Sequence, residues 1–527
     1  MLVKRGDNGH EFVDAGSESP DSIEHETERV LPHVVQPLWR LLAEPGTLQI
    51  DLTGSAAERR RLRQQISTLP AGTALVLCCA VVGSRQRFRS FAKDAGVEML
   101  REYVAIPSAH APTCYVEDTP QALRYFFSEL LALPRGGAVK SALLGAAKRA
   151  ARLPVPWSAL GAVAPIRVAV GRIPFRPSGI IGLGNEAGLL GVAGMETVVI
   201  ALSKDPNAKV TLLLIPSGTD QPTVVVKVPT TKGAEATIAA ERRVLTDLRH
   251  RLPAAVLATI PTITHLDEAD GRVALVTTAL PGSPMRNRYH AWKHLASADA
   301  VREDFMAVER WLAGFQSATA GSPEPVDMDS GSVAILRRRF VDDPTLEATI
   351  TTLGAIHTRL RASKTPRTAV HGDFWFGNLL VSGGELSGVV DWEAGSKHGE
   401  PVRDIVRFAL TYALYLDRHS RSGRHVAGHR GLRAGVWGSG IDFAINGEGW
   451  FPNLFREFVR GGLSRLGADP DCWHDATLAG IAEVAATADH RDFATHHWHL
   501  FQSLTQRPSS RLASPAQALR QDLHEHE

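Results

Sequence analysis

Apolar and polar residues between positions 31 and 134 follow patterns that predict a small α/β unit. Alternation of apolar and polar residues predicts one strand, a longer apolar run predicts a buried strand, and a third strand is expected to stop at Pro107. Charged segments that favour helix lie between the strands, and Gly96 can end the second helix as its C-cap. The predicted strands and helices are, in chain order, 47–52, 56–68, 73–81, 86–95 and 97–106.

The strand–helix–strand order of this unit weakly resembles the last third of a class I methyltransferase sheet. A methyltransferase holds its adenosyl cofactor with a glycine-rich loop after the first strand, and no such loop occurs in residues 31–165. We therefore expect these residues to form a structural domain, or one that docks a protein partner, in preference to a cofactor-binding domain.

Three further strands are predicted in quick succession, at 197–203, 210–215 and 223–228. The turn between the first two contains Ser203 and Asn207 and is rich in Asp, Pro and Asn. Such a turn offers backbone N–H groups to a phosphate if it folds over one. Ordinary hairpins have the same composition, so the pattern alone does not separate a phosphate-binding turn from a plain one.

Lys227 lies among valines in the third of these strands, where a lysine is costly unless its ammonium meets a partner or a ligand. A helix is predicted next, over residues 234–251, and it carries Glu235 and Glu241 as candidate partners. We prefer Glu241, because it lies in the middle of the helix beside apolar positions. A surface lysine on an edge strand and a solvated glutamate would give the same local sequence.

The pattern becomes mostly helical after a strand predicted at 272–280. That strand stops at Pro281-Gly-Ser-Pro284, which is typical of a hinge between two lobes. A helix with a continuous apolar stripe is predicted over 298–318, and another over 401–416.

A polar loop that begins at His371 is followed by two short apolar strands and a turn, Ser382-Gly-Gly-Glu385. The paired glycines supply the positive φ that a tight hairpin requires. Three oxygen-bearing side chains, Asp373, Asn378 and Asp391, are therefore expected at the same end of one hairpin. Mg²⁺ bound with a nucleotide prefers a few hard oxygen ligands, so this hairpin is a candidate magnesium–nucleotide site.

Three motifs in this region resemble the aminoglycoside phosphotransferase and choline kinase family, whose members are distant relatives of the protein kinases. The family's catalytic loop reads His-Gly-Asp with an Asn five residues after the Asp, and residues 371–378 match it. Its metal motif, Asp-Trp/Phe-Glu, is matched by Asp391-Trp392-Glu393. A Gly-x-Pro-x-x-Asp element usually follows, and residues 399–404 fit it. The resemblance covers about residues 195–500.

The resemblance implies an α+β, two-lobed, protein-kinase-like fold behind the small α/β N-terminal domain. The β-rich N-lobe is expected over 166–285, and the helical C-lobe, with the catalytic loop and the acceptor site, over 286–506. Residues 1–30 and 507–527 are polar and are expected to be flexible tails.

The resemblance also implies a role for each matching residue. Asp373 would be the catalytic residue that orients the substrate hydroxyl and accepts its proton. Asn378 and Asp391 would hold Mg²⁺ against the ATP phosphates, and Lys227, paired with Glu241, would steady the α- and β-phosphates. Phosphoryl transfer asks a protein mainly for positioning and charge neutralisation, which these groups can supply.

The expected function is therefore an ATP- and Mg²⁺-dependent transfer of the γ-phosphate to a hydroxyl of a small molecule. The acceptor would belong to the sugar, amino-sugar or amino-alcohol class. The alternative is a catalytically idle, kinase-like module that binds a nucleotide or docks a partner. Retention of all three catalytic-loop and metal residues favours the enzyme, since a binding module does not need them together.

A basic, glycine-containing segment over residues 418–433 bears on the acceptor. It contains five arginines and three histidines without a single acidic residue. If this segment borders the acceptor site, an anionic or neutral acceptor fits better than a polycationic one, because like charges repel. A solvated loop is the alternative interpretation.

Composition narrows the cellular setting. The 527-residue chain is 44% hydrophobic and 22% charged with a net charge of +2, which gives no reason to expect a nucleic-acid partner. Four cysteines are too few and too irregularly spaced for a disulfide framework. The polar, acidic N-terminal region does not resemble a signal peptide, and the longest apolar run, 71–82, is too short for a transmembrane segment. We therefore expect a cytoplasmic protein.

Overall fold

The computed structural model describes ten stretches of the chain, which contain the predicted hairpin, hinge and helical region. These stretches are residues 48–70, 72–79, 84–106, 114–130, 167–172, 195–201, 209–229, 231–269, 272–329 and 331–506. The predicted tails, 1–30 and 507–527, lie outside them.

Ten strands form one twisted sheet. They are β1 (Leu48–Asp51), β2 (Ala74–Cys79), β3 (Glu98–Ile106), β4 (Cys114–Glu117), β5 (Arg167–Arg172), β6 (Met195–Ala201), β7 (Lys209–Pro216), β8 (Val224–Pro229), β9 (Ile263–Ala269) and β10 (Arg272–Thr278). Their order across the sheet is β1-β2-β5-β3-β4-β6-β7-β8-β10-β9. Strands β1 and β2 pair in parallel, and every other neighbouring pair in this sheet is antiparallel.

Fourteen α-helices are found in the described residues. They are α1 (Ala56–Ile66), α2 (Ser84–Ala95), α3 (Pro120–Tyr125), α4 (Lys232–Arg249), α5 (Ala254–Leu257), α6 (Met285–Tyr289), α7 (Ala298–Thr319), α8 (Ser332–Arg339), α9 (Leu346–Leu360), α10 (Val402–Leu414), α11 (Ser439–Asn446), α12 (Trp450–Arg465), α13 (Trp473–Thr487) and α14 (Arg491–Gln506). None of the helices in the described part of the chain is long and apolar enough to cross a membrane.

The N-terminal strands belong to the same sheet as the strands of the β-rich lobe. Strand β4 pairs with β6, with Tyr115 opposite Val199. Helix α3 packs across this junction, because its Leu123 shares one apolar cluster with Val116 of β4 and Val198 of β6. The predicted division near residue 165 lies outside the described residues and stays a prediction.

Helix α4 joins the β-rich lobe to the rest of the molecule. Thr231 caps its N-terminus by accepting a hydrogen bond from the Ala234 N–H. Its buried positions Glu241, Val244, Leu245 and Leu248 recur at helical spacing. Because the three apolar residues belong to the large core of the helical lobe, α4 connects the two lobes.

Seven short strands outside the large sheet lie in the second lobe. They are β11 (Ser283–Pro284), β12 (Pro323–Pro325), β13 (Lys364–Pro366), β14 (Thr368–Val370), β15 (Leu379–Ser382), β16 (Glu385–Val389) and β17 (Ser396–Gly399). Strands β15 and β16 form the predicted hairpin, and its turn glycines, Gly383 and Gly384, have φ of +61° and +83°. Strand β11, directly after the hinge, pairs with β15.

The chain is thus an α+β protein with a sheet lobe followed by a helical lobe, which confirms the predicted fold class. Helices α7, α9, α10, α12 and α13 pack around one apolar core. Within it, Phe305 of α7 contacts the rings of Phe408 and Phe458 at centroid distances of 5.2 and 5.1 Å. This core supports the β14–β17 region, where the predicted catalytic loop lies.

Candidate active site

The loop between β14 and β15 is held by backbone hydrogen bonds and by buried aromatic rings. The buried carboxylate of Asp404 accepts hydrogen bonds from the N–H groups of His371 and Gly372, at 2.7 and 2.9 Å. Burial raises the pKa of Asp404, and these two N–H groups oppose that effect. Phe374 and Phe376 are fully buried, which fixes the loop to the helical core.

His371 connects the two halves of the hairpin motif. Its Nε2 donates to the carbonyl oxygen of Val390 at 2.9 Å, and its Nδ1 accepts the Asp373 N–H at 3.3 Å. These two bonds require the tautomer protonated at Nε2. The imidazole is completely buried, so it supports the loop and does not face a substrate.

Asp373 is the half-exposed carboxylate of the loop. The Arg407 Nη2 donates to its Oδ1 at 2.7 Å, and the Asn378 Nδ2 donates to its Oδ2 at 3.2 Å. Arg407 also donates from Nε to the same Oδ1 at 3.2 Å. The carboxylate is therefore held in one orientation, with 35% of its side chain accessible to a ligand.

Asp391 stands at the end of β16 in a left-handed conformation, with φ of +74°. This conformation is unusual for a residue other than glycine and is found often at functional sites. Its Oδ1 accepts hydrogen bonds from Lys209 at 2.6 Å and from Lys227 at 3.0 Å. Burial would raise the pKa of Asp391, but the two ammonium groups outweigh burial and hold it well below its usual range.

Lys227 forms the predicted ion pair with Glu241. Its Nζ lies 2.6 and 2.7 Å from the two carboxylate oxygens. The residues are 8% and 1% exposed, and β8 lies between β7 and β10, so the edge-strand alternative is wrong. Burial alone would lower the pKa of Lys227, but Glu241 and Asp391 raise it above the ordinary value.

Glu241 also links helix α4 to the metal motif. Its Oε1 accepts the backbone N–H of Trp392 at 3.3 Å. Trp392 is fully buried, and its indole donates to the Val389 carbonyl oxygen at 2.8 Å. One carboxylate therefore positions both the strand lysine and the chain segment that carries Asp391. Glu235, the other candidate partner, is exposed on the same helix.

Lys209 and Arg407 are site residues that sequence reasoning missed. Lys209 is the first residue of β7 and pairs with Glu393 in addition to Asp391. Arg407 lies three residues after Asp404 on α10. That helical spacing places both on one face, a signal that could have identified Arg407. Lys209 begins strand β7, and no local sequence pattern distinguishes it from a surface lysine.

The donor set around Asp391 fits a magnesium ion. Asn378 uses its amide nitrogen for Asp373, which leaves its carbonyl oxygen available, and Asp391 supplies a carboxylate oxygen that attracts two cations. In the described part of the chain, no group of three or more His, Cys, Asp and Glu side chains could hold a metal. A magnesium site needs no such group when nucleotide phosphates and water complete it.

The structure brings together Lys227, Glu241, Asp373, Asn378 and Asp391 through the contacts above. The other two predicted nucleotide-binding residues, Ser203 and Asn207, lie outside the described residues. Their contribution to phosphate binding stays a prediction.

The basic segment after α10 is a folded loop. Backbone hydrogen bonds join Gly423 to Ala434 at 2.7 Å and Val426 to Leu432 at 3.0 Å. Buried His429 anchors the loop by donating from Nε2 to the Leu295 carbonyl oxygen at 2.8 Å. Most of its arginines are exposed to solvent, namely Arg421, Arg424, Arg430 and Arg433. Arg418 differs, because its guanidinium lies over the ring of Tyr415, 5.2 Å from the centroid.

Comparisons with known proteins bear on this site. Residues 215–434 match the model of the phosphotransferase enzyme family. This match contains the ion pair, the catalytic loop and the metal motif. No curated protein matches the sequence.

Several solved structures resemble the chain weakly. One is a thermostable mutant of aminoglycoside phosphotransferase APH(4)-Ia with AMP-PNP and hygromycin B, at 12% identity and a TM-score of 0.38, covering 61% of this chain and 97% of that one. A gentamicin–APH(2")-IIa complex has 16% identity and a TM-score of 0.36, covering 62% and 98%. Macrolide 2'-phosphotransferase MphH from Brachybacterium faecium has 14% identity and a TM-score of 0.36, covering 61% and 97%.

Proposed function

We propose that this chain, which carries a domain of the phosphotransferase enzyme family over residues 215–434, is an ATP- and Mg²⁺-dependent small-molecule kinase. It would transfer the γ-phosphoryl group to a hydroxyl of a sugar, amino sugar or amino alcohol. A reaction that consumes ATP also favours the cytoplasm as its location.

One observation carries the proposal: the groups required for phosphoryl transfer converge in one place although they are distant in sequence. Lys227 contacts both Glu241 and Asp391, and Asn378 contacts Asp373. The Val390 N–H, next to Asp391, donates to the Asn378 backbone carbonyl oxygen at 3.0 Å, so the loop and the metal motif are adjacent.

The chain's own groups have separable roles in the proposed reaction. Asp373 would hold the acceptor hydroxyl and take its proton as the new O–P bond forms and the bond to ADP breaks. Lys227 and Lys209 would neutralise phosphate charge. Asn378 and Asp391 would hold Mg²⁺, which on binding supplies further neutralisation of the phosphate oxygens. Glu241 keeps Lys227 in place, because an unpaired buried ammonium would be costly.

The test is acceptor-dependent turnover of Mg-ATP by the full chain, measured against a panel of sugars, amino sugars and amino alcohols. Asp373→Asn keeps the shape of the side chain but cannot accept the hydroxyl proton, and its single amide oxygen can accept from only one of Asn378 and Arg407. Turnover should therefore fall at least about 100-fold. If no acceptor raises wild-type turnover above that of Asp373→Asn while ATP binding persists, the idle-module alternative is correct.

A further inference from the structure

Two arginines lie beside the candidate catalytic loop, on the side of the helical lobe. Arg286 is on α6, whose Tyr289 stacks on Phe376 of the loop with centroids 4.2 Å apart. Arg418 lies over the ring of Tyr415, which is itself 6.0 Å from the ring of Phe376. Arg286 is therefore on a helix that packs on the loop, and Arg418 covers a ring that contacts Phe376 of the same loop.

Neither guanidinium has a carboxylate partner in the described part of the chain. The Nε atoms of Arg286 and Arg418 are buried and have no hydrogen-bond acceptor there. Burial lowers the pKa of Arg286, and the charge of Arg418 lowers it further. Two partly desolvated like charges oppose each other, and a bound anion would relieve both penalties.

The polar surroundings of this pair do not favour a cation. Asp373 is already paired with Arg407. Asp304 is bonded by His294 and Tyr412, and Asp417 accepts the Gly435 N–H. Burial raises the pKa of Tyr415, and the charges of Arg418 and Arg407 oppose that effect while Asp373 adds to it, so Tyr415 lies between Arg418 and the candidate base.

We propose that the acceptor of the phosphoryl group carries an oxyanion, a phosphate or a carboxylate, and that Arg286 and Arg418 bind it next to Asp373. This inference rests on the proposed function and narrows its substrate class to hydroxylated acids such as sugar phosphates or sugar acids. Planar guanidinium groups suit both oxyanions, because each can donate two parallel N–H bonds.

The kinetic test uses acceptors in matched sets: a sugar, its phosphate ester, its acid and its amine. The phosphate ester or the acid should have a kcat/KM at least about 100-fold above those of the neutral sugar and the amine. The more active of the two identifies which oxyanion the site takes. Equal or better use of the neutral sugar or the amine would overturn the inference and leave the proposed function standing.

Variants of Arg286 and Arg418 test whether these two residues cause the preference for an anionic acceptor. Arg286→Gln and Arg418→Gln should each raise the acceptor KM about 10- to 100-fold and leave the KM of ATP within about twofold. Arg338→Gln, which changes an exposed arginine of α8, is the control and should alter neither. A rise in the KM of ATP without a rise for the acceptor would show that the pair serves the nucleotide, contrary to the inference.

Calorimetry without nucleotide keeps the inference testable if no acceptor turns over. The sugar phosphate and the sugar acid are titrated into wild-type protein, each arginine variant and Arg338→Gln. Binding that is lost in the two site variants and kept in the control supports the anion site even if the kinase proposal fails. Absence of binding to the wild-type protein, or equal binding to all variants, refutes it.

Discussion

At the residue scale, two lysines share one carboxylate oxygen, because Lys209 and Lys227 both donate to the Oδ1 of Asp391. Lys227 could be identified because a lysine among valines requires a buried partner, and the structure provides Glu241. Lys209 could not, because its partner Asp391 is 182 residues away and nothing near Lys209 marks it. Only folding brings both lysines to Asp391, so the sequence near each residue does not predict this arrangement.

The Lys227–Glu241 pair should contribute to stability as well as to activity. Lys227→Met leaves the Glu241 carboxylate buried without its ammonium, so the free energy of unfolding should fall by about 3–5 kcal/mol. Urea unfolding measures this change. Lys227→Met with Glu241→Gln should recover part of the loss, because the orphaned charge is removed.

Glu235→Gln is the matched control for this pair, since Glu235 is exposed on the same helix. It should change the free energy of unfolding by less than about 0.5 kcal/mol. A loss in Lys227→Met as small as that of the control would contradict the structural role of the pair.

At the scale of elements, the positions of several helices and strands followed from the sequence, but other strands and the pairing of strands did not. The helix predicted at 298–318 is found at Ala298–Thr319, and the strand predicted at 272–280 at Arg272–Thr278. Strand β5 was not predicted, and it separates β2 from β3 in the sheet. Its partners are decided by contacts far away in sequence, which local periodicity does not contain.

The candidate catalytic loop depends on a glycine for its shape. Gly372 has φ of +82°, and a Cβ there would lie 2.2 Å from the Ala394 carbonyl oxygen. Gly372→Ala should therefore displace the loop, lower the free energy of unfolding by at least about 2 kcal/mol and abolish turnover. Gly383→Ala, in the open hairpin turn with φ of +61°, should cost only about 1 kcal/mol and preserve turnover.

Thermal unfolding and turnover of both glycine variants decide this prediction. Equal losses in the two variants would mean that positive φ alone, and not the close approach to Ala394, explains the effect. In that case the loop could accommodate a Cβ at position 372 beside Ala394.

The basic loop should make stability sensitive to acid through His429. Burial lowers the pKa of His429 to about 4, below the ordinary value of 6.5, and its bond to Leu295 only partly opposes this. The unfolded chain therefore takes up this proton first as the pH falls, so stability declines from pH 6.5 towards pH 4. The loss attributable to His429 is on the order of 1–3 kcal/mol.

Urea unfolding at pH 7 and pH 4.5 measures this loss. His429→Gln should lose less stability between the two pH values than the wild-type protein, whatever its stability at pH 7. His425→Gln, which changes an exposed histidine of the same loop, should follow the wild-type slope. A His429→Gln slope equal to that of wild type would show that other groups produce the acid sensitivity.

At the scale of the whole molecule, the continuous sheet means that the N-terminal strands and the strands of the β-rich lobe should share their stability. Val116 is fully buried at the junction, in one apolar cluster with Val198 and Leu213. Val116→Ala should cost about 1–3 kcal/mol. Because β6 and β7 rest on the same cluster, hydrogen exchange should accelerate in residues 209–229 as well as in 98–117.

Two controls show whether the change in hydrogen exchange is specific to Val116→Ala. A peptide from α13 reports on the helical lobe and should exchange at the wild-type rate, while Val341→Ala, at a valine that is 69% exposed, should change no region. Acceleration confined to 98–117 would show instead that the N-terminal strands open alone. The coupled result would mean that the N-terminal unit supports the strand carrying Lys227, since the β4–β6 pairing is the route by which its stability reaches the candidate active site.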